Sequence, residues 1–375
     1  MKSSSKSVRA YGRCDQILKY RPDPLDVLKT TAYVVENAQH VKINLDAVEH
    51  AADVLVEKQT EPPAWNYEFH FHDGTPRTVN YLFLLDTLNF CFWGKPKWGI
   101  DFVIASREAA KQSPITTEIA SSQSFDSAPL RSGSLLTKTK RLNGYWALAA
   151  SLTRAIEKDS RIADSDFMAR VSPQELGEIL TGTGTIPLLA ERWRNMRELG
   201  IVLKNLWEGQ AARLVECAGR NAPRLAQMVA ENFSSFNDIA VYDNREVRFF
   251  KRAQIVVTDV WGAFGGKDWG EFEDIDQLTA FADYKLPQIL RAWDILKYAP
   301  TLARKVDAQI ELAAGSPDEI EIRAAMLWAV EWLREALAKR ERHLWSIQVD
   351  WILWQASQEK LKGMKPYHRV RTSYY

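Results

Sequence analysis

Residues 248–290 read RFFKRAQIVVTDVWGAFGGKDWGEFEDIDQLTAFADYKLPQIL, and the assignment of this stretch decides the fold. Its first half is β-branched in the middle yet periodic at helix spacing, so strand and helix compete. As a helix, it sets Lys251, Ile255 and Asp259 along one side and stops at Gly265-Gly266. Asp274 or Asp276 then caps a short helix over QLTAFADY. Leu286 precedes a proline and is biased away from helical backbone, so a break is expected between Tyr284 and Pro287 before another helix runs to Tyr298. Asp283 falls at that junction, between Phe281 and Tyr284. A core has no use for Lys251, Asp259 and Asp283 in its most aromatic region, so they either build a site or face water.

Outward from this stretch, the text is mostly helical. IAVYDNREVRFF reads as a short hairpin around Asp243-Asn244 that feeds the central segment. Upstream, PLLAERWRNMRELGIVLKNLW is a helix with a stop signal at Gly200 and a solvated basic face carrying Arg192, Arg194 and Arg197. Ser172-Pro173-Gln174-Glu175 writes a capping box. Gly182 and Gly184 are read as helix termination rather than a phosphate cradle, because neither nucleotide-binding glycine motif is present. In WNYEFHFHDG the alternation suggests a strand, but no further His or Cys pair follows at a zinc spacing, so His70, His72 and Asp73 are not read as metal ligands. In the helix that follows, Tyr81, Leu84, Leu85, Leu88 and Phe92 form an apolar stripe, while Asp86, Asn89, Phe90 and Trp93 share another face. Two readings stand for that second face: a surface that stacks a heterocycle and reads its edge, or a doubly buried helix with a satisfied amide. His40 lies at a break in the N-terminal helices, within reach of a ligand or simply at the surface.

The 375 residues carry 49 Lys+Arg against 48 Asp+Glu. Balanced charge excludes a large phosphate footprint, so no stable nucleic-acid partner is expected. Three scattered cysteines argue against a disulfide framework and for a reducing compartment. No apolar run approaches the length of a membrane span, and the N-terminus lacks the apolar core of a secretory signal, so the expected location is cytoplasmic. Residues 1–23 read as a flexible basic N-terminus and 355–375 as a basic tail. The Ser/Thr-rich stretch 105–140 reads as a flexible insertion within one domain over 24–354.

The strings YLFLLDTLNFCFW, GYWALAASLTRAIE, IPLLAERWRNMRELG, VRFFKRAQIVVTDVWGAFGG, FEDIDQLTAFADYKLPQIL and EIEIRAAMLWAVEWL with DWILW resemble the queuosine salvage protein family. LNFCFW, KRAQI and FADY-x-x-PQ are specific in combination. The resemblance implies a mainly α, single-domain, metal-free and cofactor-free protein similar to helix-hairpin-helix DNA glycosylases, acting as a monomer. It further implies hydrolysis of queuosine 5'-monophosphate, and of queuosine more weakly, to release queuine. On that reading Asp283 stabilises or attacks the anomeric carbon, and Lys251 holds the phosphate or orients the sugar and Asp283. Asp86, Asn89 and Trp93 recognise the base with Asp259 in support, Tyr284 lines the pocket, and His40 is a further contact. Cleaving a nucleoside C–N bond builds positive charge on the sugar, which is why a carboxylate is required there. The competing assignment for Asp283 and Lys251 is a purely structural ion pair.

Overall fold

A computed structural model describes residues 11–104, 138–359 and 363–375. Among these the protein is mainly α, with fifteen α-helices and eight short strands paired only in twos. The N-terminal third contains α1 (Tyr11–Leu18), α2 (Val27–Asn37), β1 (Val41–Ile43), α3 (Leu45–Glu57), α4 (Pro76–Thr87) and β2 (Gly99–Ile104). The middle holds β3 (Lys138–Asn143), α5 (Tyr145–Lys158), α6 (Ser165–Arg170), α7 (Pro173–Ile179), α8 (Leu189–Leu206), α9 (Ala211–Ala218) and α10 (Ala222–Asn232). The hairpin β4 (Ile239–Tyr242) and β5 (Arg245–Arg248) leads into α11 (Lys251–Ala263). The remainder is α12 (Lys285–Ala292), β6 (Leu296–Tyr298), α13 (Pro300–Asp307), β7 (Glu311–Leu312), α14 (Pro317–Ala338), α15 (Ser346–Gln358) and β8 (Arg369–Val370).

The organising member is α14, buried along nearly its whole length and packed on α2, α3, α12 and α15. A helix buried on every side must be apolar all round or must satisfy each charge it carries. Here the charges are satisfied. Glu321 accepts the backbone N–H groups of Gln39, His40 and Val41 at 3.0, 2.6 and 3.1 Å and the Tyr242 hydroxyl at 3.0 Å. Arg323 grips both oxygens of Asp238 at 3.0 and 2.5 Å and donates to the Ala282 carbonyl. Glu331 takes Arg21 and Ser346. The Arg323 bond to Ala282 anchors the segment carrying Asp283 to the core.

Several expectations hold and several need correction. The 251–263 stretch is a helix, and Gly265 and Gly266 leave it with φ of +60° and +73°. The hairpin turns at Asp243-Asn244 with φ of +47° and +60°, and Ser172 and Glu175 close a reciprocal capping box. By contrast, QLTAFADY is not helical, and Asp274 accepts the N–H of Ala222, at the start of α10, at 2.7 Å. The third helix starts at Lys285, so Leu286 is helical and Pro287 occupies the first turn, where a missing N–H costs nothing. The 66–72 segment forms turns, not a strand.

Arg192 is buried rather than solvated, its guanidinium 4.2 Å from the Phe90 ring centre. Nor is the N-terminus a tail from residue 11 onward: α1 buries Cys14 and Ile17, and Arg21 reaches Glu331. The C-terminal segment is equally docked, since β8 pairs in parallel with β7 and Tyr375 is buried. The 105–140 insertion lies outside the described residues except for 138–140, which open β3.

Gly200 does not stop α8, which runs on to Leu206. Its lack of a side chain lets α8 press on α6, where a Cβ would sit 2.3 Å from the Ala169 nitrogen and 2.6 Å from the Ser165 oxygen. Backbone cannot yield as a flexible side chain does. Gly200→Ala is therefore expected to destabilise the fold by about 1–3 kcal/mol despite the better helix propensity of alanine, read as a lower urea midpoint at unchanged slope.

Candidate active site

A cavity of about 260 Å³ opens where α5, α11, α15 and the start of α12 converge. Lys251, Ile255 and Asp259 all face it, as their four-residue spacing on α11 requires. The opposite wall comes from α15, whose Trp351, Trp354, Gln355 and Gln358 repeat at helical spacing from Asp350. Aromatic rings close the sides: Trp354 lies 5.6 Å from Trp146 and 6.0 Å from Tyr145, and Tyr284 lies 4.9 Å from Tyr367.

Charge is concentrated in the middle. Asp283 sits one residue before the N-cap position of α12, and its Oδ1 accepts the N–H groups of Lys285 and Leu286, each at 2.8 Å. Two bonds from a helix terminus fix the plane of the carboxylate. Burial raises its pKa, while Lys251 and the two N–H groups work to keep it ionised. Lys251 begins α11 directly after Phe250, which turns the chain with φ of +47°, and its N–H donates to Asp238 at 3.3 Å. Burial lowers the Lys251 pKa, and Asp283 is the largest influence opposing that loss. Asp350, whose Oδ2 accepts the Phe281 N–H at 2.8 Å, is pushed well above the carboxylate range by burial and then by the charge of Asp283. The centre is thus one lysine that favours the charged form of Asp283 against the effect of burial, beside a second carboxyl driven toward its neutral form.

A polar chain runs from the centre into one wall. The charges of Asp86 and Asp259 bear on one another, and Asn89 donates to Asp86 Oδ1 at 3.1 Å. Asp259 Oδ2 lies 3.1 Å from the Tyr145 hydroxyl, which lies 2.9 Å from His70 Nε2. His70 Nδ1 is 2.6 Å from the Asn66 carbonyl, and the imidazole is tilted against Trp65 with ring centres 4.3 Å apart. Burial, then Asp86, pushes Asp259 well up, and burial pushes Asp86 up to about 7. Burial also draws His70 down to about 4.

Lys251, Asp283, Asp259, Asn89 and Tyr284 therefore meet in one cavity. Three other expected residues do not line it. Asp86 is fully buried behind Asn89 and Asp259. Trp93 is buried with Phe90 and Cys91 in a cluster on which Tyr284 and Tyr367 pack, under Arg371 and Arg369, 5.0 and 5.6 Å from their guanidinium carbons. The reason is that α4 ends at Thr87 and Cys91 takes φ of +44°, so the expected helical face does not exist. His40 pairs with Asp318 at 2.6 Å and is absent from the cavity wall. Sequence reasoning missed Asp350, Tyr145 and Tyr367 and assigned His70 no role. Asp350 was within reach, because Asp350, Trp354 and Gln358 repeat every four residues.

The queuosine salvage protein profile matches residues 69–375. A Sphaerobacter thermophilus protein named queuosine 5'-phosphate N-glycosylase/hydrolase is 43% identical over 353 residues, covering 94% of this chain and 98% of its own. Proteins of the same name from Mus musculus and Dictyostelium discoideum are 33% and 30% identical, each covering 94% of this chain and 99% and 100% of their own. With the match spanning the cavity, its carboxylates and both faces of α11, the chain belongs to the queuosine salvage protein family.

Proposed function

We propose that the protein hydrolyses the N-glycosidic bond of queuosine 5'-monophosphate, and of queuosine more weakly, releasing queuine for re-use in tRNA. The observation that carries this reading is Asp283, a carboxylate fixed by two backbone N–H groups and faced by Lys251 inside an aromatic cavity. As the C–N bond breaks, the sugar becomes an oxocarbenium-like cation, and a negative charge positioned at the anomeric carbon is worth more there than in the ground state. Asp283 supplies that charge. Lys251 favours its ionised form by opposing the cost of burial. The tryptophans and tyrosines of the walls stack the base and sugar, and Asn89 reads an edge of the base. Lys285 and Lys97, whose charges bear on one another, together put two ammonium groups at the end suited to the 5'-phosphate. The protein acts on the free nucleotide, as a cytoplasmic monomer.

Incubating the purified protein with queuosine 5'-monophosphate and following free queuine by chromatography tests the assignment. Release of queuine and ribose 5-phosphate in equal amounts is expected, whereas intact substrate under saturating conditions would leave only a nucleotide-binding protein. Lys285→Ala is expected to raise KM for the monophosphate by about tenfold while changing KM for the unphosphorylated nucleoside little, because a partly exposed charge-assisted contact to phosphate contributes about 1.5 kcal/mol.

A further inference from the structure

The departing base is the least assisted partner in this reaction. A 7-deazapurine has no N7 to protonate, so the electron pair released by the C–N bond must be stabilised at another heteroatom of the ring. We infer that Asp259 protonates the departing base, held as a neutral carboxylic acid by Asp86 behind it and by the Tyr145–His70 pair beside it. This inference rests on the hydrolase reading above.

A backbone carbonyl only accepts, so at 2.6 Å from the Asn66 oxygen His70 Nδ1 must carry a hydrogen. The imidazole is buried and neutral at physiological pH, which leaves Nε2 bare and in need of a donor. The Tyr145 hydroxyl, 2.9 Å away, is that donor. A phenol has one hydrogen. With it committed to His70, the contact of 3.1 Å between the Tyr145 oxygen and Asp259 Oδ2 is a hydrogen bond only if Asp259 brings the hydrogen. On the other flank, Asp86 Oδ2 is buried without a hydrogen-bond partner, and the charge of Asp86 further favours a proton on Asp259. Two ionised carboxylates so coupled do not persist away from water, so the pair retains a proton.

Position makes this proton useful. Asp259 lines the cavity two turns along α11 from Lys251, so an acid and an anion-stabilising site share one rigid element. In the step, the C1'–N bond breaks and its electron pair enters the deazapurine ring. The Asp259 hydrogen, turned from Tyr145 into the cavity, passes to a ring heteroatom. Water adds to the anomeric carbon, and its proton goes to the Asp283 carboxylate. The new Asp259 carboxylate then accepts the Tyr145 hydrogen in place of His70, so one phenol rotation stabilises the charge that forms.

The groups facing Asp259 are Asp86 and Tyr81 from α4, Tyr145 from α5, His70 from the 66–72 turn, and Lys251 on α11 itself. Asp86 and the hydrogen-bonded Tyr145 set the proton affinity of Asp259 from outside its own helix, and Lys251 opposes Asp86. Because the acid must be protonated, kcat falls as pH rises through its pKa.

The test is a pair of pH–kcat profiles on the full-length protein with queuosine 5'-monophosphate as substrate. Asp259→Asn is expected to lower kcat at pH 7 by about 10²-fold and to abolish the alkaline limb, with affinity for free queuine kept within a fewfold of wild type. Asp86→Asn removes a like charge, which lowers the Asp259 pKa and moves the alkaline limb to lower pH. A merely structural role for Asp86 would not displace that limb. The inference is overturned if Asp259→Asn retains kcat within threefold, if it keeps the alkaline limb, or if the limb stays put in Asp86→Asn. Should Asp259→Asn not fold, the position of the limb in Asp86→Asn decides. A full rate in Asp259→Asn beside an inactive Asp283→Asn removes the acid and leaves the hydrolase reading standing. Intact substrate with wild-type protein removes both.

Discussion

Asp283→Asn is expected to lower kcat for queuine release by about 10³-fold while leaving substrate affinity and the melting temperature close to wild type. The size follows from what is lost: a preorganised charge at the atom where positive charge develops, in a site that water does not screen. The silence of the other two readouts follows from what is kept. Asparagine retains an Oδ1 that can accept the Lys285 and Leu286 N–H groups, and it ranks with aspartate at capping a helix terminus. Alanine at the same place would sacrifice those bonds too, about 1 kcal/mol or more of stability, and would confuse folding with chemistry. Single-turnover kinetics with a parallel measurement of queuine affinity is the decisive experiment. A variant that binds normally and still turns over within tenfold of wild type would remove Asp283 from the reaction.

The second large effect is expected at Lys251. Lys251→Met preserves much of the side-chain volume but strips Asp283 of the cation that offsets its burial. The sign is explicit. Burial raises the Asp283 pKa and Lys251 lowers it, so removing Lys251 raises it further. Since the carboxylate must be ionised, the acid limb of kcat moves to higher pH, and activity at pH 7 falls by about 10²-fold or more with partial recovery under alkaline conditions. The lost attraction falls on the ionised form of Asp283 and is relieved as Asp283 takes up a proton. The pH profile separates this electrostatic role from direct participation. A uniform loss at every pH would mean that the amine contacts the reacting atoms.

How much of this was legible beforehand varies with how local the cause is. The β-branched middle of α11 left strand and helix in competition, but once it is a helix the joint placement of Lys251, Ile255 and Asp259 follows from a period of 3.6 residues. Asp283 was legible as a junction residue, although the helix began two residues earlier than the proline rule suggested. The second wall was misread because nothing in LNFCFW announces a stop. The chain leaves α4 there so that Phe90 can pack on Arg192 and Trp93 on Arg369 and Arg371, partners 100 or more residues away. Tertiary contacts of that kind override local propensity. The basic C-terminal stretch failed for the same reason: Arg369 and Arg371 read as tail charges and are docked over a tryptophan face, Arg371 with its head still exposed, while Tyr367 and Tyr375 reach the cavity.

The placement of indoles around the cavity has a practical consequence. Of the 14 tryptophans in the chain, Trp65, Trp146, Trp351 and Trp354 line the place where a conjugated base would stack. Intrinsic fluorescence is therefore a built-in, label-free signal of occupancy, quenched on ligand entry and carried mainly by those four residues. It reports binding in catalytically dead variants as readily as in the active enzyme, and a Trp354→Phe background would identify the contribution of α15.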